Sequence, residues 1–239
     1  MQVSEFKFGH RQARLYCLSQ QRVPLVYYID YNEQGEPLLQ ACREAGCDMG
    51  FNLVTLSGLH WDEELTPWPS PPVVSRADRF TGGGPDLLRL LTTSIMPQVE
   101  QRLPQPAAWR VLAGYSLAGL FAVWAMHGTD EFAGCLSASG SMWYPDILPW
   151  MQSHAMSPTV RRVYLSLGDK ESRSRNAALR VTQDNTLQLA RLFAHRGVTT
   201  RFVLNPGNHF QQAMQRVASG IVWHLTPIHS NKPHADWAD

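Results

Sequence analysis

Residues 109–127 read WRVLAGYSLAGLFAVWAMH. The first five have strand length and are mostly apolar. From Leu117 onward the run is apolar on nearly every side, as suits a helix packed against a sheet. Only Gly114, Tyr115 and Ser116 stand between the two. A chain that passes from strand to helix in so few residues must turn sharply, and the positions inside that turn must be small. Gly114 and Ala118, each two places from Ser116, meet that demand. A serine at the tip of such a turn projects past the end of the sheet. Its hydroxyl is a weak nucleophile and must face a base and a carbonyl carbon together. The amide groups opening the next helix point at the same place, so the N–H of Leu117 is a natural donor to a developing oxyanion.

Working outward, the same alternation recurs. Residues 14–18, 24–29 (PLVYYI), 51–56 (FNLVTL), 132–137, 163–167 (VYLSL) and 199–204 (TTRFVL) read as strands. Residues 36–45, 86–103, 117–127, 176–195 and 209–225 read as helices, with Gly197 as a stop signal for the fourth. Strands alternating with helices predict an α/β chain with a mostly parallel central sheet and helices on both faces. Crossovers in such a sheet are right-handed. Ligands gather where the carboxyl ends of its strands open into loops. Residues 57–85, rich in Pro, Trp and Gly, read as one long loop, a length usually reserved for function. A single domain is expected over 1–227, with 228–239 as a flexible tail.

Composition narrows the classes. Apolar residues make up 44% and charged residues 17%, so the chain can bury a core. The net charge of +1 argues against nucleic acid or an anionic membrane as the main partner. Cys17, Cys42, Cys47 and Cys135 form no CxxC pair and read as reduced, mostly buried thiols. There is no HExxH and no close Cys/His cluster in sequence, so no metal is expected. The first residues hold no signal-peptide core, and no stretch of about 18 apolar residues occurs; a cytoplasmic protein is expected. Nothing in the sequence sets the oligomeric state.

Gly114–Ala118 departs from the GxSxG pattern of a nucleophile elbow by one methyl group, and Gly119 follows at once. In folds built on that elbow the partners follow in the order serine, acid, histidine. His209 lies on the turn Asn205-Pro206-Gly207-Asn208-His209, just past the last strand, where the base belongs. His127 and His195 stand at helix ends, His224 stands inside a helix, and His60 follows an early strand. His10, His154, His229 and His234 have no supporting context. The strand 163–167 runs into Gly168-Asp169-Lys170-Glu171. A carboxylate there would accept from the imidazole and hold its tautomer. Asp169 and Glu171 both qualify; the strand-to-acid spacing of the fold favours Glu171. A Ser–His dyad is the remaining alternative.

Several segments, in their order and spacing, resemble the esterase D and enterochelin-esterase-like group of α/β-hydrolases. Besides the elbow they are Leu65-Thr66-Pro67, Arg79-Phe80 with Gly82-Gly83-Gly84 and the helix to Pro97, the serine-rich Ser137-Ala138-Ser139-Gly140-Ser141, and the two loops holding Glu171 and His209. The resemblance spans roughly 24–225. It implies an α/β-hydrolase fold and hydrolysis of carboxylic esters through an acyl-enzyme on Ser116, without metal or organic cofactor. Siderophore-type and aromatic acyl esters are among the small-molecule substrates it implies. It also implies a second oxyanion donor in the loop after FNLVTL, at Gly58 or Leu59, and a substrate-binding role for Arg79. The aromatic residues Trp61, Trp68, Trp143, Tyr144 and Trp150 depart from the family pattern and read first as core or lid packing. An acyltransferase, and a catalytically silent binding module, are the rival readings on the same fold.

Overall fold

The computed structural model describes residues 1–227 and the backbone of 236–237. The expected tail, 228–239, otherwise lies outside the described residues. In chain order the elements are β1 (Gln2–Phe8), β2 (Arg11–Cys17), β3 (Leu25–Ile29), α1 (Gly35–Glu44), β4 (Asn52–Ser57) and α2 (Trp61–Glu64). There follow α3 (Gly84–Leu90), a π-helical segment Leu91–Ile95, α4 (Met96–Glu100), β5 (Arg110–Tyr115), α5 (Leu117–Ala125), β6 (Gly134–Ala138) and α6 (Ile147–Ser153). The chain continues through β7 (Arg162–Gly168), a 3-10 turn Glu171–Arg173, α7 (Ala177–Arg180), α8 (Thr182–His195), β8 (Thr199–Asn205), α9 (Ala213–Leu225) and the short β9 (Asp236–Trp237).

All the described strands join one sheet in the order β1-β2-β4-β3-β5-β6-β7-β8-β9. β1, β2 and β4 pair antiparallel, and every pair from β4 through β3 to β9 is parallel. Alternate side chains of the strands feed two separate cores. Tyr27, Leu112, Cys135 and Leu165 pack with α3, α4, α5, α6 and α8 on one face. Val26, Val111, Leu136 and Tyr164 pack with α1 and α9 on the other. β3 and β6 are buried at every position, so neither alternates apolar with exposed polar residues, and β3 reads as one unbroken run, LVYYI. No helix among the described residues is long and apolar enough to cross a membrane.

Several expected elements differ in extent. β1 had no strong signal because it is an edge strand whose residues are exposed or only half-buried. The loop 57–85 contains α2 and an isolated bridge between Pro69 and Thr81. The helix expected over 86–103 starts at Gly84 and widens into the π-helical turn before Pro97. Proline lacks an N–H and crowds the carbonyl four residues back, and an added residue in the turn relieves both. The helix expected over 176–195 is broken at Val181, where the Thr182 hydroxyl bonds the Leu179 carbonyl at 2.7 Å. The last helix starts at Ala213, not 209, because Gly207 and Gln212 both take positive φ, at 104° and 58°. His209 therefore sits on a loop.

Candidate active site

β5 ends on Tyr115, and Ser116 turns the chain into α5 with φ 59° and ψ −124°. A non-glycine residue there is strained, and such strain gathers at functional sites. The turn is packed so tightly that a Cβ at Gly114 would meet the Ala118 carbonyl oxygen at 2.2 Å. Glycine at 114 is thus obligatory, whereas Ala118 fits within the helix and is fully buried. The other close approach falls on Gly119, where a Cβ would stand 2.7 Å from Ser137 Oγ and 3.0 Å from Gly140 Cα. It lets α5 lie against the serine-rich turn after β6.

Three loops bring the candidate groups together at the carboxyl ends of β5, β7 and β8. His209 Nε2 lies 3.1 Å from Ser116 Oγ. His209 Nδ1 lies 2.8 Å from Glu171 Oε2. With a proton on Nδ1 donated to the carboxylate, Nε2 is the acceptor facing the serine hydroxyl. The other oxygen of Glu171 accepts from the Gly168 N–H at 2.6 Å, the Ser139 hydroxyl at 2.8 Å and Arg216 Nη1 at 2.8 Å. Burial alone would raise the Glu171 carboxyl. The bonds from His209, Gly168 and Ser139 outweigh it and hold the group below the usual carboxylate value.

Asp169 takes a different place. Its Oδ1 accepts the Gly207 N–H at 2.7 Å and so braces the histidine loop without touching the imidazole. The same loop is held from beneath by Arg216, whose Nη2 donates to the carbonyls of Pro206 and Asn208 at 3.2 and 3.1 Å. Tyr115 OH donates to the His209 carbonyl at 2.6 Å. Arg216, with its side chain only 1% exposed, is the residue that sequence reading missed. Its one signal was position: Arg216, Val217, Gly220, Ile221 and His224 form the buried stripe of α9, so a charge stood where an apolar residue was expected.

The candidate oxyanion and substrate residues divide. Leu117 opens α5 directly beyond Ser116. Gly58 and Leu59 lie on the loop leaving β4, and β3 stands between β4 and β5. A Cβ at Gly58 would strike the His10 carbonyl oxygen at 2.6 Å, so its glycine serves the packing of the β1–β2 turn. Arg79 is exposed and is not among the residues lining the cleft at Ser116.

That cleft has a volume of about 410 Å³. Trp143, Phe210, Val74 and Leu179 supply apolar wall, and Lys170 and Arg173 stand at its side. Among the remaining aromatics, Tyr144 is buried and bonds the Trp68 carbonyl, while Trp150 packs against Trp68 and Trp124. Trp61 meets Tyr31 edge-on.

The sequence model of the family Esterase, described as "Putative esterase", matches residues 16–216. A relative in Bacillus subtilis, the uncharacterized protein YbbA, is 26% identical over 211 residues, covering 82% of this chain and 83% of that one. Among solved structures, the siderophore hydrolase EstA from Aspergillus nidulans superposes with a TM-score of 0.74 at 19% identity, over 93% of each chain. EstB from the same fungus gives 0.70 at 20% identity, over 91% and 93%. An IroE-like serine hydrolase from Shewanella oneidensis gives 0.74 at 16% identity, over 94% of this chain and 79% of that one. At these identities the likeness establishes the fold, which is that of an α/β-hydrolase.

Proposed function

The chain belongs to the putative-esterase family, and from that premise we propose that it is a serine hydrolase cleaving carboxylic esters through an acyl-enzyme on Ser116. The observation that carries the reading is the unbroken hydrogen-bonded line from Ser116 through His209 to Glu171. His209 takes the Ser116 proton as the hydroxyl adds to the ester carbonyl. The imidazolium then protonates the leaving alcohol, and water repeats the cycle on the acyl-enzyme. Glu171 holds the imidazole in its working tautomer and balances the charge it gains.

The Leu117 N–H is the first oxyanion donor in this reading. For the second, topology favours the loop after β3 over Gly58 or Leu59. β3 directly flanks β5, with Ile29 opposite Gly114. Asp30 curls that loop by accepting the N–H groups of Asn32 and Gln34, at 3.2 and 2.6 Å. The Tyr31 N–H, between Asp30 and Asn32 in the chain, is the candidate. Trp143 and Phe210 beside Lys170 and Arg173 suit an acyl ester that is aromatic and anionic. EstA and EstB are siderophore hydrolases by name, and a siderophore-type ester is the substrate class carried over to this chain.

The test is hydrolysis of a short p-nitrophenyl ester by the wild type and by Ser116→Ala, with a fluorophosphonate label on the same proteins. Loss of about 10³-fold or more in kcat, together with loss of the label, is expected. A wild type that neither turns over the ester nor takes the label sinks the reading.

A further inference from the structure

Far along the sheet from β8, two histidines meet a buried carboxylate. His10 stands on the turn between β1 and β2. His60 precedes α2, which carries Glu64. β2 and β4 are antiparallel neighbours with Gln12 opposite Ser57, so the turn and the loop come to one place. The two imidazoles are 4.4 Å apart between centroids. His10 Nε2 is 2.8 Å from Glu64 Oε1. One ligand-type atom from each of His10, His60 and Glu64 lies within 4.8 Å of the other two. Among the described residues no other group of three such side chains comes this close.

The carboxylate is fixed from behind. Glu64 Oε2 accepts Arg11 Nε at 2.6 Å, and Oε1 accepts the His60 backbone N–H at 3.1 Å. One lone pair of Oε1 is left on the side of the imidazoles. Both histidines are exposed, so their rings can turn at little cost. Zinc-class ions bind imidazole nitrogen and carboxylate oxygen at about 2.0–2.2 Å, which sets tetrahedral donors about 3.3 Å apart. Modest side-chain rotation closes the present gap. A ligating carboxylate that is itself hydrogen-bonded is what orients such a site. Three donors with two nitrogens suit zinc or its transition-metal neighbours, and not calcium or magnesium, which need more oxygens.

We propose that His10, His60 and Glu64 bind one divalent transition-metal ion of the zinc class, separate from Ser116, with water in the fourth position. Binding replaces the His10–Glu64 hydrogen bond. The imidazole proton of His10 shifts to Nδ1, and Nε2 and Oε1 both turn their lone pairs to the metal. The ion ties the β1–β2 turn to α2.

The test uses the full chain, stripped with a chelator and returned to chelator-free buffer, then titrated with Co²⁺. Four-coordinate Co²⁺ shows strong visible absorption that the aqueous ion lacks, and Zn²⁺ should displace it. One equivalent is expected, with affinity reduced at least about tenfold in His10→Ala and in His60→Ala. His154→Ala, which removes an exposed imidazole elsewhere, should keep wild-type affinity. Circular dichroism checks each fold, and His60→Ala removes an exposed side chain with no ring hydrogen bond. Wild-type affinity in both variants, or no saturable binding by the wild type up to millimolar Co²⁺, overturns the proposal. Fluorophosphonate labelling of Ser116 is read in parallel, so the two readings fail separately.

Discussion

Arg216 and Glu171 form a buried ion pair, with Nη1 2.8 Å from Oε1 and side chains only 1% and 6% exposed. The two oxygens of Glu171 are thereby divided: Oε1 belongs to Arg216, Oε2 to His209. The guanidinium beneath the carboxylate fixes Oε1 and leaves Oε2 aimed at the imidazole. It also joins the acid loop to the histidine loop, since the same guanidinium holds the Pro206 and Asn208 carbonyls.

Replacing Arg216 by methionine should therefore do two things at once. It strands a buried carboxylate, which costs roughly 3–5 kcal/mol. It also frees the loop that carries His209, so kcat should fall in protein that is still folded. Urea unfolding beside ester turnover measures both. Arg216→Lys keeps the charge but cannot span both loops, and should retain much of the stability with less of the activity. Wild-type behaviour of the methionine variant on both counts would refute the role.

The two loop carboxylates should separate cleanly. Glu171→Gln removes the partner of His209 Nδ1 and should lower kcat by up to about 10⁴-fold. Asp169→Asn only weakens the brace on Gly207 and should cost far less. Equal losses in the two variants would contradict the geometry.

Stability should fall as pH drops from 7 to 5. Burial pushes His224 down to about 3 and His127 down to about 4, so the native chain keeps both neutral. The unfolded chain takes up those protons below about 6.5, which favours unfolding. This contribution is fully present above that value and is lost on the way down. Asp30 works the other way, because burial pushes its carboxyl up to about 6. One proton remains on balance, a slope of up to about 1.4 kcal/mol per pH unit. Denaturant midpoints at pH 7 and pH 5 measure it. In His224→Gln the difference should nearly vanish, and a variant as pH-sensitive as the wild type would contradict this account.

Lys170→Gln combined with Arg173→Gln should raise KM for an anionic aromatic ester while leaving a neutral ester of the same size nearly unaffected. The comparison of kcat/KM for the pair of substrates isolates charge from fit. An equal change for both would remove the cations from the account of specificity.

Much of this architecture was legible along the chain. Strand and helix periods within single segments report which faces are buried, so the alternation and the two-sided cover of the sheet could be read directly. The turn at Ser116 was legible for a local reason too: Gly114 and Ala118 are small because they touch each other within one turn. Edge strand β1 and the breaks at Val181 and before Pro97 were not. Weak burial blurs the first, and side-chain bonds or helix widening decide the others.

What the sequence by itself determined, then, is everything that depends on neighbours a few residues apart: element type, the strained elbow, a histidine on a turn after the strand that is β8. Only the tertiary structure decided which of Asp169 and Glu171 faces the imidazole, that Arg216 lies beneath them, that β3 and not β4 flanks the strand leading to Ser116, and that His10 meets His60 and Glu64. These relations join residues tens of positions apart. They follow from strand order and loop path, which are set by how the whole chain buries its two cores.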